Sequence, residues 1–168
     1  MDIRRVMLEE FHEELPVTRR TLARIPEDKL GWKPHEKSMA LGQLAMHIAR
    51  LPGGIARITR ESSFDVMKGN FTVPMPENRQ EVLAALEKSV AEVEQCLTET
   101  TAEDAEGTWQ LLRGDQVITT RPRFKAWRTL LLSHWYHHRA QLGVYLRLLD
   151  VPVPPTYGPS ADENPFLG

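Results

Sequence analysis

The sequence predicts an all-α fold, a bundle of helices joined by irregular connections and closed by a proline-rich tail. Three observations carry that expectation. Apolar residues recur at spacings of three, four or seven in four long stretches, as on one face of a helix. Proline and glycine interrupt the chain between those stretches. Pro152, Pro154, Pro155, Pro159 and Pro165 exclude a further long helix after Asp150 and predict an extended strap over the bundle.

The first helix is expected over residues 3–25, where Leu8, Phe11, Leu15, Leu22 and Ile25 form the stripe. Pro16 lies inside it and lacks a backbone donor, which predicts a kink or a late start, and Pro26 ends it. Residues 27–38 hold Gly31, Trp32 and Pro34 and read as a packed connection anchored by Trp32. Ser38 is positioned to cap a second helix from Met39 onward, with Leu41, Leu44, Ile48, Leu51, Ile55 and Ile58 on its apolar face. Pro52-Gly53-Gly54 is expected to bend it.

Glu77 opens a third helix, where an acidic side chain suits the positive end of the dipole, and Leu83, Leu86, Val90, Val93 and Leu97 form its stripe. Residues 108–120 flank Arg113-Gly114-Asp115 with Trp109, Leu111, Val117 and Ile118, which suggests a short hairpin or an irregular loop with the triplet as its turn. The fourth helix, about residues 123–149, steps through Trp127, Leu131, His134, His138, Gln141, Tyr145 and Leu148 by fours and threes. That pattern puts two imidazoles and an amide in the middle of a core stripe.

A chain of 168 residues suits one domain, expected here over 1–168. Twenty-one basic against 23 acidic residues leave a net charge of -2, with no electrostatic excess to hold a phosphate backbone, so nucleic acid is not an expected partner. Arg121, Arg123, Lys125 and Arg128 beside Trp127 come closest to a basic patch and read as solvated helix surface. No membrane-spanning run of apolar residues occurs, residues 1–5 lack the apolar stretch of a secretory signal, and a soluble, cytoplasmic protein is expected. Cys96 is the only cysteine, so no multi-cysteine zinc site is available and any metal must be held by histidine or carboxylate. Glu92, Glu94 and Glu99 around Cys96 are expected to raise its thiol pKa and argue against a nucleophile.

Residues four apart on a helix differ by about 40° in direction and about 6 Å in rise, so His134 and His138 can aim at one point. His137 is turned about 60° the other way and is less well placed. Three bundle-facing histidines, His47 included, need partners for their nitrogens, because an unpaired buried polar group costs roughly 2–7 kcal/mol. A shared metal ion meets that need; hydrogen bonds to backbone carbonyls would also meet it, and the residues alone leave both readings open.

The segments KPHEKSM at 33–39, LGQLAMHIA at 41–49, HWYHHRAQL at 134–142 and YGPSADE at 157–163 together resemble the DinB-like (DinB/YfiT) metalloenzyme family, and the likeness runs over essentially the whole chain. The resemblance implies a four-helix bundle, commonly a homodimer, and one divalent metal ion on His47, His134 and His138. Zinc or nickel stands ahead of iron or manganese. Many relatives carry glycine where Ala140 stands. Three imidazoles leave coordination space open, as at catalytic rather than structural zinc sites. The resemblance further implies a small-molecule substrate and chemistry of the S-transferase kind with a low-molecular-weight thiol. Metal-dependent hydrolysis and a non-enzymatic metal-binding dimerisation module are the alternatives. No catalytic residue beyond the metal ligands is assigned.

Overall fold

A computed structural model of the protein describes residues 2–166; the ends of the expected 1–168 domain lie outside that range. The chain is mostly helical, with a small sheet. Helix α1 spans Ile3–Leu22, α2 spans Leu41–Ile58 and α3 spans Arg79–Glu99. The short helices α4 (Ala102–Glu106) and α5 (Arg123–Ala126) flank the hairpin, and a π-helical segment, Trp127–Ser133, leads without a break into α6, His134–Leu148. Helix α3 packs against α1 and α2, and α6 packs against the same two. The core between them is one cluster that includes Phe11, Leu22, Leu44, Ile48, Leu86, Trp127, Trp135 and Leu142.

Several local expectations shift. Helix α1 is continuous through Pro16 and ends at Leu22, with Asp2 accepting from the Arg4 backbone N–H at its start. Ser38 does not cap α2. The helix begins two residues later than Met39, and the Gln43 side chain accepts from Ala40 N–H at 3.2 Å, so the first turn supplies its own cap. Pro52-Gly53-Gly54 does not interrupt α2. Gly53 is instead a point of close approach: its N–H donates to Ser89 Oγ at 2.8 Å, and a Cβ there would sit 2.9 Å from the Ser89 Cα. Helix α3 starts at Arg79, capped by Asn78 accepting from Glu81 N–H, and buries Val82, Leu86, Ser89, Val93, Cys96 and Leu97, one position off the expected stripe at two places.

The hairpin forms, as β2 (Thr108–Arg113) and β3 (Gln116–Pro122), with Gly114 at φ 58° in its turn. A third strand, β1 (Ser63–Asp65), pairs in parallel with β2 and was not expected; Asp65 Oδ1 accepts from Gly114 N–H at 3.0 Å. The all-helical expectation is therefore corrected to a mostly helical fold with a three-stranded sheet.

The largest correction concerns the fourth helical run. A π turn holds more residues per turn than an α turn and rotates all that follows. Burial accordingly passes from Trp127 and Leu131 to Leu132, Trp135, Arg139, Leu142 and Leu146. His134 and His138 sit half-buried at the edge of this stripe, Gln141 is exposed, and Leu148 is 57% exposed. The basic run divides as well: Arg123 is buried and donates to the carbonyls of Thr59, Arg60 and Asp104, while Trp127 is buried with its Nε1–H on Thr59 Oγ1.

Helix α6 ends in a Schellman arrangement, with Val151 N–H on the Leu146 carbonyl, Asp150 N–H on the Arg147 carbonyl, and Asp150 itself at φ 56°. The tail beyond is strapped along α1 and α6. Asp162 pairs with Arg147, Glu163 with Arg20 and Arg24, and Asp162 also accepts from Val153 N–H. No helix among the described residues is long and apolar enough to cross a membrane.

Candidate metal centre

His47 comes from the middle of α2, and His134 and His138 from the first two turns of α6, which packs against α2. One ligand nitrogen from each of the three lies within 4.8 Å of the others. The His47 ring meets His138 edge-on, with centroids 4.5 Å apart and planes at 86°, and meets His134 at 5.5 Å and 63°. The structure thus brings together all three histidines that the sequence singled out. His137 is exposed and stays outside the cluster, although its ring centroid is 5.0 Å from that of His138.

The hydrogen bonds around the cluster leave its inner nitrogens available. His138 Nδ1 is 2.7 Å from Gln141 Oε1, and an amide oxygen only accepts, so the proton sits on Nδ1 and Nε2 carries a lone pair. Burial disfavours the charged form of the His134 ring, so its Nε2 also belongs to a neutral imidazole. The two Nε2 atoms nevertheless lie 2.8 Å apart. At that separation either one nitrogen donates its N–H to the other or the two share a cation. The donor set fits the second, because neutral imidazole is a common ligand for first-row divalent ions.

Electrostatics favour the neutral, ligating form. Burial first, then the neighbouring His138 and His134, push the His47 pKa down to about 4. Burial is also the main cause that lowers His134 and His138. Charged imidazolium is disfavoured at all three positions, so protons compete poorly for these nitrogens near neutral pH.

The cluster opens on a cleft of about 380 Å³ lined by His47 and His134, by Arg50, Leu51, Ile55 and Ile58 of α2, and by Phe64, Lys68 and Phe71 of the following connection. Sequence reasoning did not single out Arg50, Phe64, Lys68 or Phe71. Arg50, three positions after His47 on the same helix, was within reach of a periodicity argument. Phe64, Lys68 and Phe71 lie on a connection whose path no periodicity sets.

Arg139 and Arg147 lie outside the cleft and are engaged elsewhere. Arg139 is buried against Glu14 and Tyr157, and Arg147 pairs with Asp162. Cys96 is buried with its Sγ–H on the Ala56 carbonyl; burial, and not the nearby glutamates, pushes its thiol pKa up.

The sequence matches the DinB family over residues 2–165. The chain belongs to that family. A DinB-like protein from Bacillus cereus shares 23% identity with a TM-score of 0.70, covering 90% of this chain and 95% of its own. A DinB-like protein from Bacillus subtilis gives 20%, 0.69, 90% and 96%. The mycothiol-dependent maleylpyruvate isomerase is more distant, at 15% identity and a TM-score of 0.51, covering 90% of this chain and 64% of that one. No curated protein matches the chain. At these identities the solved structures establish likeness of fold.

Proposed function

We propose that this DinB-family protein is a divalent-metal-dependent enzyme that uses a low-molecular-weight thiol, with His47, His134 and His138 as the ligands and zinc or nickel as the metal. The observation that carries the reading is the pair of half-buried Nε2 atoms 2.8 Å apart beside His47, facing a cleft. The mutual packing of α1, α2, α3 and α6 supports a four-helix bundle as the frame that fixes these three rings. The mycothiol dependence of the structurally similar isomerase favours a thiol over other substrates.

A divalent ion held there supplies Lewis acidity, which stabilises the thiolate form of a thiol and so raises its nucleophilicity. The chain's own part is binding and orientation. Gln141 fixes the tautomer of His138, and burial keeps His134 and His47 neutral. Among the described residues, no aspartate or glutamate lines the cleft. Hydrolysis of a substrate therefore lacks a carboxylate to act as general base, which ranks it behind thiol chemistry.

The test is a screen of metal-loaded protein with several low-molecular-weight thiols and electrophiles against the His134→Ala variant. Thiol consumption that requires both metal and His134 supports the reading. Metal-loaded protein that hydrolyses esters or amides without a thiol, or that turns over nothing and is only stabilised by metal, replaces it with the hydrolase or the binding module.

A further inference from the structure

The cleft beside the histidines has a marked asymmetry of charge. Three cationic side chains, Arg50, Arg57 and Lys68, line it, with no acidic residue among its walls. Arg57 is neutralised by its ion pair with Glu92. Arg50 and Lys68 make no ion pair and no side-chain hydrogen bond to any described residue. Most other exposed arginines of this protein are paired, as Arg5, Arg19, Arg20, Arg128 and Arg147 are. Two cations without an ion pair stand in one concave, partly apolar site; Asp65 lies near enough to Lys68 to feel its charge but is not part of the lining, and the site keeps a positive potential.

The remaining walls are apolar. His47, Arg50, Leu51, Gly54, Ile55 and Ile58 lie along one face of α2, so the cleft follows that helix from His47 to Ile58, roughly 16 Å at about 1.5 Å per residue. On the opposite wall Phe64 and Phe71 meet edge to face with centroids 6.3 Å apart over Gly69, where a Cβ would come within 2.6 Å of the Phe71 ring. A cavity of this size, with aromatic walls and a few convergent polar groups, suits a small organic ligand.

From these observations we infer that the cleft binds an amphipathic organic anion, its carboxylate or phosphate held by Arg50 and Lys68 and its apolar body lying between α2 and the Phe64–Phe71 pair, with its far end at the three histidines. The assignment deepens the proposed metal chemistry and rests on it for the identity of the reacting end. The anion site itself belongs to Arg50 and Lys68, not to the ion.

Gly54 offers a clean probe of occupancy. A Cβ at Gly54 meets nothing nearer than Arg57 Nη2 at 3.8 Å, so the backbone there tolerates a side chain that starts at the cleft wall, and a non-glycine residue favours the helix.

The experiment is calorimetric titration of 4-phenylbutyrate, 2-phenylethyl phosphate and the neutral 4-phenylbutanamide into the wild type and into Arg50→Gln/Lys68→Gln, Gly54→Leu and His134→Ala variants, with metal content measured in parallel. At least one acid is expected to bind the wild type tenfold or more tightly than the amide, and which acid wins distinguishes a carboxylate from a phosphate substrate. The double variant is expected to lose that tenfold preference while binding the amide unchanged and keeping its metal. Gly54→Leu is expected to lose acid and amide alike with metal content intact. His134→Ala is expected to keep the preference. Equal binding of acids and amide, no binding at all, or a preference that survives in the double variant overturns the inference. So does a preference lost in His134→Ala, since the acid would then be sitting on the metal. A wild type without metal that still prefers the acid sinks the metal reading and leaves the anion cleft standing.

Discussion

Gln141 Oε1 lies 2.7 Å from His138 Nδ1, one turn further along α6, and this contact decides which nitrogen of His138 faces the other two histidines. Hydrogen-bond partners of ligating imidazoles typically affect metal affinity by about 10–100-fold. Gln141 is exposed, so water can partly replace it, and the lower end applies. Gln141→Ala is expected to weaken metal binding about tenfold. Gln141→Glu, which keeps the acceptor, is expected to retain affinity. Competition with a metallochromic chelator measures both; equal affinity for Gln141→Ala and the wild type would show that the contact does not set the tautomer.

The three histidines should behave as a set and His137 should not. Purified protein is expected to hold about one divalent ion per chain, the one-site stoichiometry of three converging imidazoles, and His47→Ala, His134→Ala and His138→Ala are each expected to lose it. His137→Ala is expected to keep it, because its exposed ring stands outside the cluster. Elemental analysis after dialysis reads the ratio. Stoichiometric metal in all three single variants would refute the assignment, and loss in His137→Ala would mean that the ligands lie in another register of α6.

The sequence carried the three histidines better than their surroundings. The four-residue spacing of His134 and His138 survives any rotation of the helix as a whole, so their convergence was legible even though the face they occupy was not. The π segment Trp127–Ser133 defeated the stripe argument, because periodicity assumes a constant number of residues per turn and the wider turns displace Gln141 and Leu148 from the core. Family likeness, and not spacing, singled out His47 from a helix face where a core histidine was an equal reading. The strand Ser63–Asp65 was invisible for a different reason: three residues are too short to show a period, and their pairing depends on where β2 lies.

Arg139 is a buried charge on the core face of α6. Its side chain is 4% exposed, 2.6 Å from Glu14 Oε2, bonded to Thr18 Oγ1 and Tyr157 Oη, and placed over the rings of Tyr136 and Tyr157. Glu14 Oε2 accepts no well-aligned hydrogen bond, so the ion pair is its main compensation. Removing one partner of a buried pair typically costs about 3–5 kcal/mol, whereas replacing both with apolar groups is often near neutral. Arg139→Met is therefore expected to destabilise the metal-free protein by about that amount, and Arg139→Met with Glu14→Leu by much less. Urea unfolding of the two variants decides; equal losses would show that packing of the guanidinium between the tyrosines matters more than the charge.

The tail strap should be sensitive to acid. Asp162 and Glu163 anchor it through Arg147, Arg20 and Arg24, and these hydrogen-bonded guanidiniums hold both carboxyls below their ordinary values of 3.8 and 4.5. A carboxyl whose pKa is lower in the folded state binds protons more readily when unfolded, so its stabilisation is present above the ordinary value and lost as pH falls through the depressed one. Asp162→Asn/Glu163→Gln is expected to lower the thermal midpoint at pH 7, with the gap from wild type closing as pH falls below about 4. Salt should narrow the same gap at pH 7, because the pairs are largely exposed and screened. Calorimetry across pH and salt tests this, and a gap that persists at pH 3 would assign the anchoring to the hydrogen bond that Asp162 accepts from Val153 N–H, independent of charge.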